Sequence, residues 1–424
     1  MLENVDPWDD FAVLCGLGGR LCGTPSESQA RAILAERLRS VAERHGGRFS
    51  SIPLAYQGWR ARSCTLQVDA AESVFQGYPL LHSPPTAADG LALDAIDLGR
   101  GDEADFEARK DEIPGRAVLT RHEFMFSEGH VHRNRKYRWA EAFGAAAFLI
   151  AGGEDQEGPV GGGVGFGDPA GIPAVGISSQ AAVAVAGAGG RIGSGAPIVL
   201  TIDAEAAPAE TETLILELPG ESDEWVVLSA HLDGHDLAQS AIDNASGVAA
   251  ALAAAEAVAA QDGPRRRGLR LCLFSIEEWG LLGSHAYVAG LDEAVRRAIG
   301  LNVNLDSVAG AGGLAALWSG FAPLAAFLRD VSEACDIPLA LHEPLVRNSD
   351  HYNFAVAGIP ACRLMAGFDM PKSNMRHVLT AEDTIDKVTH DELRLAAELT
   401  AQIVWRACSD EALALRVNGP APGP

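Results

Sequence analysis

No two of the seven cysteines (positions 15, 22, 64, 272, 335, 362 and 408) form a C-x-x-C pair, and their number is odd. A chain of 424 residues folds without staples, so the reading is reduced thiols. Basic residues are few: 33 Lys plus Arg against 57 Asp plus Glu leave a formal net charge of −24. A field of that sign repels nucleic acid and anionic membranes, so neither is an expected partner. No run reaches ~18 uninterrupted apolar residues. The opening Met1 to Asp10 is acidic where a secretory leader is basic and then apolar, and the expected location is cytoplasmic. H-E-x-x-H, G-x-S-x-G and G-x-x-x-x-G-K-[ST] are all missing, which sets aside three common catalytic frameworks.

What is present is a globular composition, 47% hydrophobic and 21% charged. A length of this order corresponds to roughly two to three domains. Thr24, Pro25 and Glu27 supply an N-cap, a first-turn proline and a capping-box glutamate, so residues 24–45 read as a helix closed by Gly46-Gly47. A polar, alternating stretch near 48–69 leads to a Pro/Gly-punctuated boundary from about Gln76 to Gly90. From about 91 to 200, short apolar strands alternate with glycine-rich turns. The glycines from Gly161 to Gly167 lead into another strand rather than a helix and read as a turn, not a nucleotide loop. His130, His132 and the basic run Arg133 to Arg138 read as a solvated face.

After Ala206 the pattern becomes regular: strands at 212–218 and 225–230, an Ala-rich helix at 246–260, a strand at 269–276, a helix near 283–297, a strand at 300–305 and a last helix over Thr389 to Cys408. That alternation predicts an α/β sheet with helices on its faces. The residues after Asn418 lack core formers and read as a tail.

In this half the ionisable residues collect where strands end, which is where open α/β sheets place their sites. Strand 225–230 runs into His231-Leu232-Asp233, and alternation puts His231 and Asp233 on one side, one to ligate and the other to orient it. Asp243 precedes the Ala-rich helix, with Asn244 or Ser246 free to cap it. Glu277 and Glu278 end a strand as adjacent carboxylates whose side chains diverge, so one suits a metal and the other a proton. Asp306 closes the next strand, and His377 lies in the loop entering the last helix. Two imidazoles and three carboxylates suit Zn²⁺, with Mn²⁺ or Co²⁺ as substitutes, and one carboxylate has to bridge if two ions share a water.

The segments His231-Leu232-Asp233, Asp243 to Gly247, Glu277 to Ser284, Asn304-Leu305-Asp306, Ser349-Asp350-His351, and His377 with Glu382-Asp383-Thr384 resemble the M28 family of metallopeptidases in order and spacing. The resemblance implies a three-layer α/β/α sandwich around a mixed, mostly parallel sheet, with an inserted, smaller, β-rich protease-associated (PA) domain. It divides the chain into 1–74 and 206–410 as the peptidase domain, 75–205 as the PA-like insert and 411–424 as a flexible tail. It makes Asp243 the bridge between two Zn²⁺, pairs His231 with Asp306 and Glu278 with His377, casts Glu277 as general base, and has Asp233 orient His231. The implied substrate is a peptide or small amide, cut as in an aminopeptidase or dipeptidase.

The chain departs from the family at one informative place. Family aminopeptidases carry a tyrosine just upstream of Ser-Asp-His, whereas Val346-Arg347-Asn348 stand here. Arg347 or His351 is therefore a candidate for substrate binding, Arg347 as a fork for a substrate carboxylate. His235 reads as a residue behind the site or at the surface. Two other functions are compatible with the resemblance: a glutaminyl-cyclase-like acyltransferase with one zinc, and a non-catalytic receptor-like relative with none.

Overall fold

A computed structural model describes residues 1–3, 5–68, 73–153, 158–164, 171–187 and 193–416. The expected turn at Gly161–Gly167 falls partly outside them, and the tail lies outside from residue 417. The chain divides into two units, one made of Met1–Tyr56, Glu210–Val378 and Glu382–Pro424, the other of Gln57–Ala209 and Leu379–Ala381.

In the first unit the hydroxyl of Thr24 accepts from the Glu27 amide at 3.3 Å and starts the helix Pro25–His45, which left-handed Gly46 ends. The expected capping box does not form. Glu27 is buried and its carboxylate is taken by Arg31 at 3.1 Å and by the Thr211 hydroxyl at 3.2 Å, so it does not reach back to Thr24.

From the edge strand Leu339–His342 the sheet of this unit runs through Leu314–Leu317, Ala361–Ala366, Ile299–Leu305, Trp225–His231 and Gly268–Phe274 to the last residues of Pro197–Leu218, a strand that also pairs with Arg48–Val68. Along that run neighbours are parallel except where Leu314–Leu317 meets Ala361–Ala366 and Gly268–Phe274 meets Pro197–Leu218. The central strands are mostly apolar and buried, as strands covered on both faces must be, whereas the edge strand Leu339–His342 is only partly buried. The Ala-rich helix Gly247–Ala259 is buried nearly along its length, against the sheet and His390–Ser409. Leu282–Ala289 and His351–Val356 pack together, the latter also against Ala361–Ala366 and Ile299–Leu305. The single helix expected near 283–297 is instead two, Leu282–Ala289 and Glu293–Ala298. Gly290 closes the first, and the Asp292 carboxylate caps the second by accepting from the Val295 amide at 2.8 Å.

The second unit holds parallel strands Leu91–Asp97, Ala117–Arg121, Ala147–Ala151 and Ala174–Ile177, with short helices Glu103–Ala108, Arg133–Ala142 and Ser179–Ala186. The basic run is a solvated face only in part, with Arg135 and Arg138 exposed. It forms a helix that buries Arg133, Lys136 and Tyr137. The Lys136 ammonium donates to the carbonyls of Arg100 and Arg121 and to the Glu123 carboxylate, each at 2.7 Å, and these partners offset its loss of water. No helix among the described residues is long and apolar enough to cross a membrane.

Candidate active site

Parallel register lines up the carboxyl ends of three neighbouring strands, because Phe274 pairs with His231 and Asn304 with Ser229. His231 ends its strand, Asp306 follows Leu305, and Glu277 follows a sharp turn at Ser275-Ile276. The ligating atoms of His231, Glu277 and Asp306 consequently lie within 4.8 Å of one another, and all three residues are buried. The turns that aim them are unusual: Ile276 and Ser307 sit at φ 55° and 60°, a region a β-branched residue seldom occupies.

Asp243 completes the cluster from the side. Its Oδ1 is 3.2 Å from His231 Nε2, and Asp306 Oδ1 is 3.7 Å from the same nitrogen. The chain leaves helical geometry at Asp243 and Asn244, and Asn244 performs the capping expected of it or Ser246. Its Oδ1 accepts from the amides of Gly247 and Ser307 at 3.0 and 3.1 Å, and its Nδ2 donates to the Leu305 carbonyl at 3.0 Å. One side chain thereby fastens the helix start to the strand that presents Asp306.

Asp233 divides its effort. His231 Nδ1 is 3.1 Å from the Asp233 carbonyl and 3.8 Å from its carboxylate. The carboxylate accepts from the main-chain amides of Glu277 and Glu278 at 3.2 and 3.3 Å. Asp233 therefore orients the ring through its main chain and holds the glutamate turn through its side chain.

Glu278 and His377 stand outside the group of three. His377 Nδ1 is 2.6 Å from Glu382 Oε2, a carboxylate–histidine pair of the kind that fixes a ligating imidazole. His235 is buried, with Nε2 3.5 Å from Asp383 Oδ2. Arg347 is exposed, its guanidinium 5.5 Å from the centre of the Tyr352 ring. His351 is fully buried, and burial pushes its imidazole down to about 3.

Three residues that the sequence reading left without a role shape the site. Arg363 is buried on strand Ala361–Ala366, its Nη2 3.1 Å from Asp306 Oδ1. A lone arginine in an apolar strand was the available signal. Asp350, from the Ser-Asp-His segment, is fully buried, and burial pushes its carboxyl up to about 7. Arg20, also fully buried, donates to the carbonyls of Gln239 and Ser240, both at 2.8 Å, and of Leu232 at 3.2 Å, anchoring the loop that follows His231.

The electrostatics fit a cation. Burial opposes charge on His231, but Glu277, Asp243 and Asp306 outweigh it and raise its pKa well above the ordinary range. Burial, helped by Asp350, Glu278 and Asp306, likewise holds the Glu277 carboxyl well above a free glutamate, and burial lifts Asp233 to about 6. Asp306 goes the other way: Arg363 and His231 overcome burial and lower it. His231 Nε2 and Asp243 Oδ1 are buried facing each other without a hydrogen-bond partner. Buried polar atoms are rarely left so, and an imidazole with several carboxylates is a donor set suited to zinc.

Residues 213–404 match the model of Peptidase family M28, and residues 78–185 match that of the PA domain. Aminopeptidase YwaD of Bacillus subtilis is 24% identical over 410 residues, spanning 93% of this chain and 82% of that protein. The probable lipoprotein aminopeptidase LpqL of Mycobacterium tuberculosis is 26% identical over 270 residues, 59% of this chain and 52% of its own length. Among solved structures, a zinc aminopeptidase from Bacillus subtilis superposes with a TM-score of 0.76 at 23% identity, covering 97% of this chain and 96% of that one. A Peptidase M28 precursor from Shewanella amazonensis does so at 0.78 and 21%, covering 98% and 95%. At such identities the two superpositions speak to the fold.

Proposed function

We propose, from the premise that the chain is an M28 metallopeptidase carrying a PA domain, that it is a dinuclear zinc aminopeptidase in which Glu277 is the general base. The observation that carries the reading is the meeting of His231, Glu277 and Asp306 beyond the ends of adjacent strands with Asp243, which comes from the segment before the Ala-rich helix. Asp243 would bridge, His231 and Asp306 would complete one zinc position, and Glu278 and His377 the other. The ions, when bound, supply Lewis acidity to the scissile carbonyl and acidify a water, to a pKa of about 7 in favourable cases. Glu277 takes the proton of that water on its carboxylate and delivers it to the departing amine nitrogen. Asp233 keeps the glutamate turn in place, and Glu382 keeps His377 oriented. The names of the aminopeptidase relatives support a free amine as the recognised end.

Metal content tests the reading directly. The purified chain is expected to hold about two zinc ions, to lose activity on chelation and to regain it with Zn²⁺, Mn²⁺ or Co²⁺. One ion per chain would favour the glutaminyl-cyclase-like acyltransferase, and none a receptor-like relative. Aminoacyl anilides with a free amine should be cleaved and their N-blocked forms spared.

Arg347 supports a second reading, a dipeptidase that grips a substrate carboxylate, because it is exposed beside the Ser349-Asp350-His351 segment. In that case Arg347→Ala raises KM for substrates with a free carboxylate by about tenfold or more relative to their amides, with kcat little changed. An equal change in KM for the two series, or none in either, removes Arg347 from recognition and leaves the aminopeptidase.

A further inference from the structure

Segment Ala241–Ser246 cannot satisfy its own backbone. Ser240 is left-handed at φ 49°, and Asp243 and Asn244 are not helical, so amides that an unbroken helix would engage need other acceptors. Asp383 provides them. Fully buried, it accepts from the Ile242 amide through Oδ1 at 2.7 Å and from the Asp243 amide through Oδ2 at 3.2 Å. The same Oδ2 is 3.5 Å from His235 Nε2. The two loops are also joined main chain to main chain and by one side chain: the Asp383 carbonyl accepts from the Gln239 amide at 3.2 Å, and Gln239 Oε1 accepts from the Ile385 amide at 2.7 Å. Glu382, the preceding residue, points elsewhere, to His377 Nδ1 at 2.6 Å.

We propose that Asp383 is a positioning residue that sets where the Asp243 carboxylate stands, and that the adjacent pair Glu382-Asp383 ties the two zinc positions together. The inference rests on the dinuclear reading above. Consecutive side chains on one short loop diverge, so a single loop braces the shared ligand with one carboxylate and a ligand of the second position with the other. The loop therefore enters both binding steps through Asp383 and only one through Glu382.

Stepwise zinc titration of the metal-free protein against a chromophoric chelator separates these roles without reference to activity. Wild type should show two steps. Asp383→Asn keeps the shape and one acceptor oxygen but turns an NH₂ toward the other backbone amide, so both steps should weaken, by ~10–100-fold. Glu382→Gln should weaken one step by a similar factor and leave the other as in wild type. A purely structural role for Asp383 predicts a lower Tm of the metal-free protein with unchanged zinc steps. Asp383→Asn titrating like wild type at both steps, or losing only one, overturns the proposal. Should that variant fail to fold, Asp383→Glu keeps the charge and both acceptors while displacing them by a methylene. Weakening of both its steps supports the brace, and unchanged steps overturn it. A wild-type chain that takes up a single ion fails the dinuclear reading and the two-site tie together, a result distinct from two wild-type steps with an indifferent Asp383→Asn.

Discussion

Glu277→Gln is expected to lower kcat by ~10²–10⁴-fold while zinc content stays at the wild-type value. The amide preserves the volume of a side chain that is only 8% exposed, and the main-chain hydrogen bond from residue 277 to Asp233 is untouched. What disappears is a carboxylate able to accept a proton. The geometry gives the experiment a second edge, because Glu277 and not Glu278 shares the 4.8 Å group with His231 and Asp306. If Glu277 were a ligand and Glu278 the base, Glu277→Gln would lose zinc and Glu278→Gln would keep it. Zinc content and kcat of the two variants, measured side by side, decide which of the adjacent carboxylates does which job. Near wild-type turnover in Glu277→Gln would sink its assignment as base.

The strands that lead to His231, Glu277 and Asp306 were legible because they are largely apolar runs that end in ionisable residues, whereas Leu314–Leu317, Leu339–His342 and Ala361–Ala366 are short and the sequence alone does not mark them. Val226 to Ala230 and Leu301 to Leu305 need burial on both faces, and a parallel sheet is the arrangement that gives it while bringing His231 and Asp306 to one end. Helix Pro25–His45 could be read from Thr24 and Pro25, yet Glu27 departed from the capping box because Arg31 and Thr211 compete for its carboxylate. Those are partners brought by tertiary structure, and Thr211 lies 184 residues away in the chain. In the basic helix Arg133–Ala142 the solvated reading holds for Arg135 and Arg138 and fails at Lys136 for a similar reason. A charge run looks solvated until the carbonyls of Arg100 and Arg121 are folded over Lys136. At the site, His231, Asp243, Glu277 and Asp306, which their chemistry marks, come together, while Glu278 and His377 stand outside the group of three, and Arg363 and Asp383, which act by support, carried no role in the sequence. Arg363 reaches Asp306 only because their strands are neighbours, and Asp383 reaches Asp243 only because two loops meet.

Asp243→Ala should do more harm to metal binding than Asp233→Ala, and the contrast follows from where each carboxylate points. Asp243 Oδ1 faces His231 Nε2 at 3.2 Å with no hydrogen-bond partner, as a ligand shared by two cations would. Removing it would take a donor from both of the proposed zinc positions, so neither should fill at micromolar zinc. The Asp233 carboxylate faces away from that nitrogen and toward the amides of Glu277 and Glu278. Its loss leaves every proposed ligand in the chain, and the 3.1 Å contact from His231 Nδ1 to the Asp233 carbonyl survives because alanine keeps the carbonyl. The expected cost is that of a supporting residue, ~10–100-fold in affinity or activity. Because the Asp233 carboxylate holds the glutamate turn, that cost should fall on kcat more than on zinc content, through a Glu277 no longer held in line with the substrate. Titrating both metal-free variants with zinc and assaying each at saturating metal distinguishes these effects. Equal zinc affinities would remove Asp243 from the bridge, whereas a metal-saturated Asp233→Ala enzyme with full kcat would mean that the turn stands without its carboxylate and that Asp233 serves His231 alone.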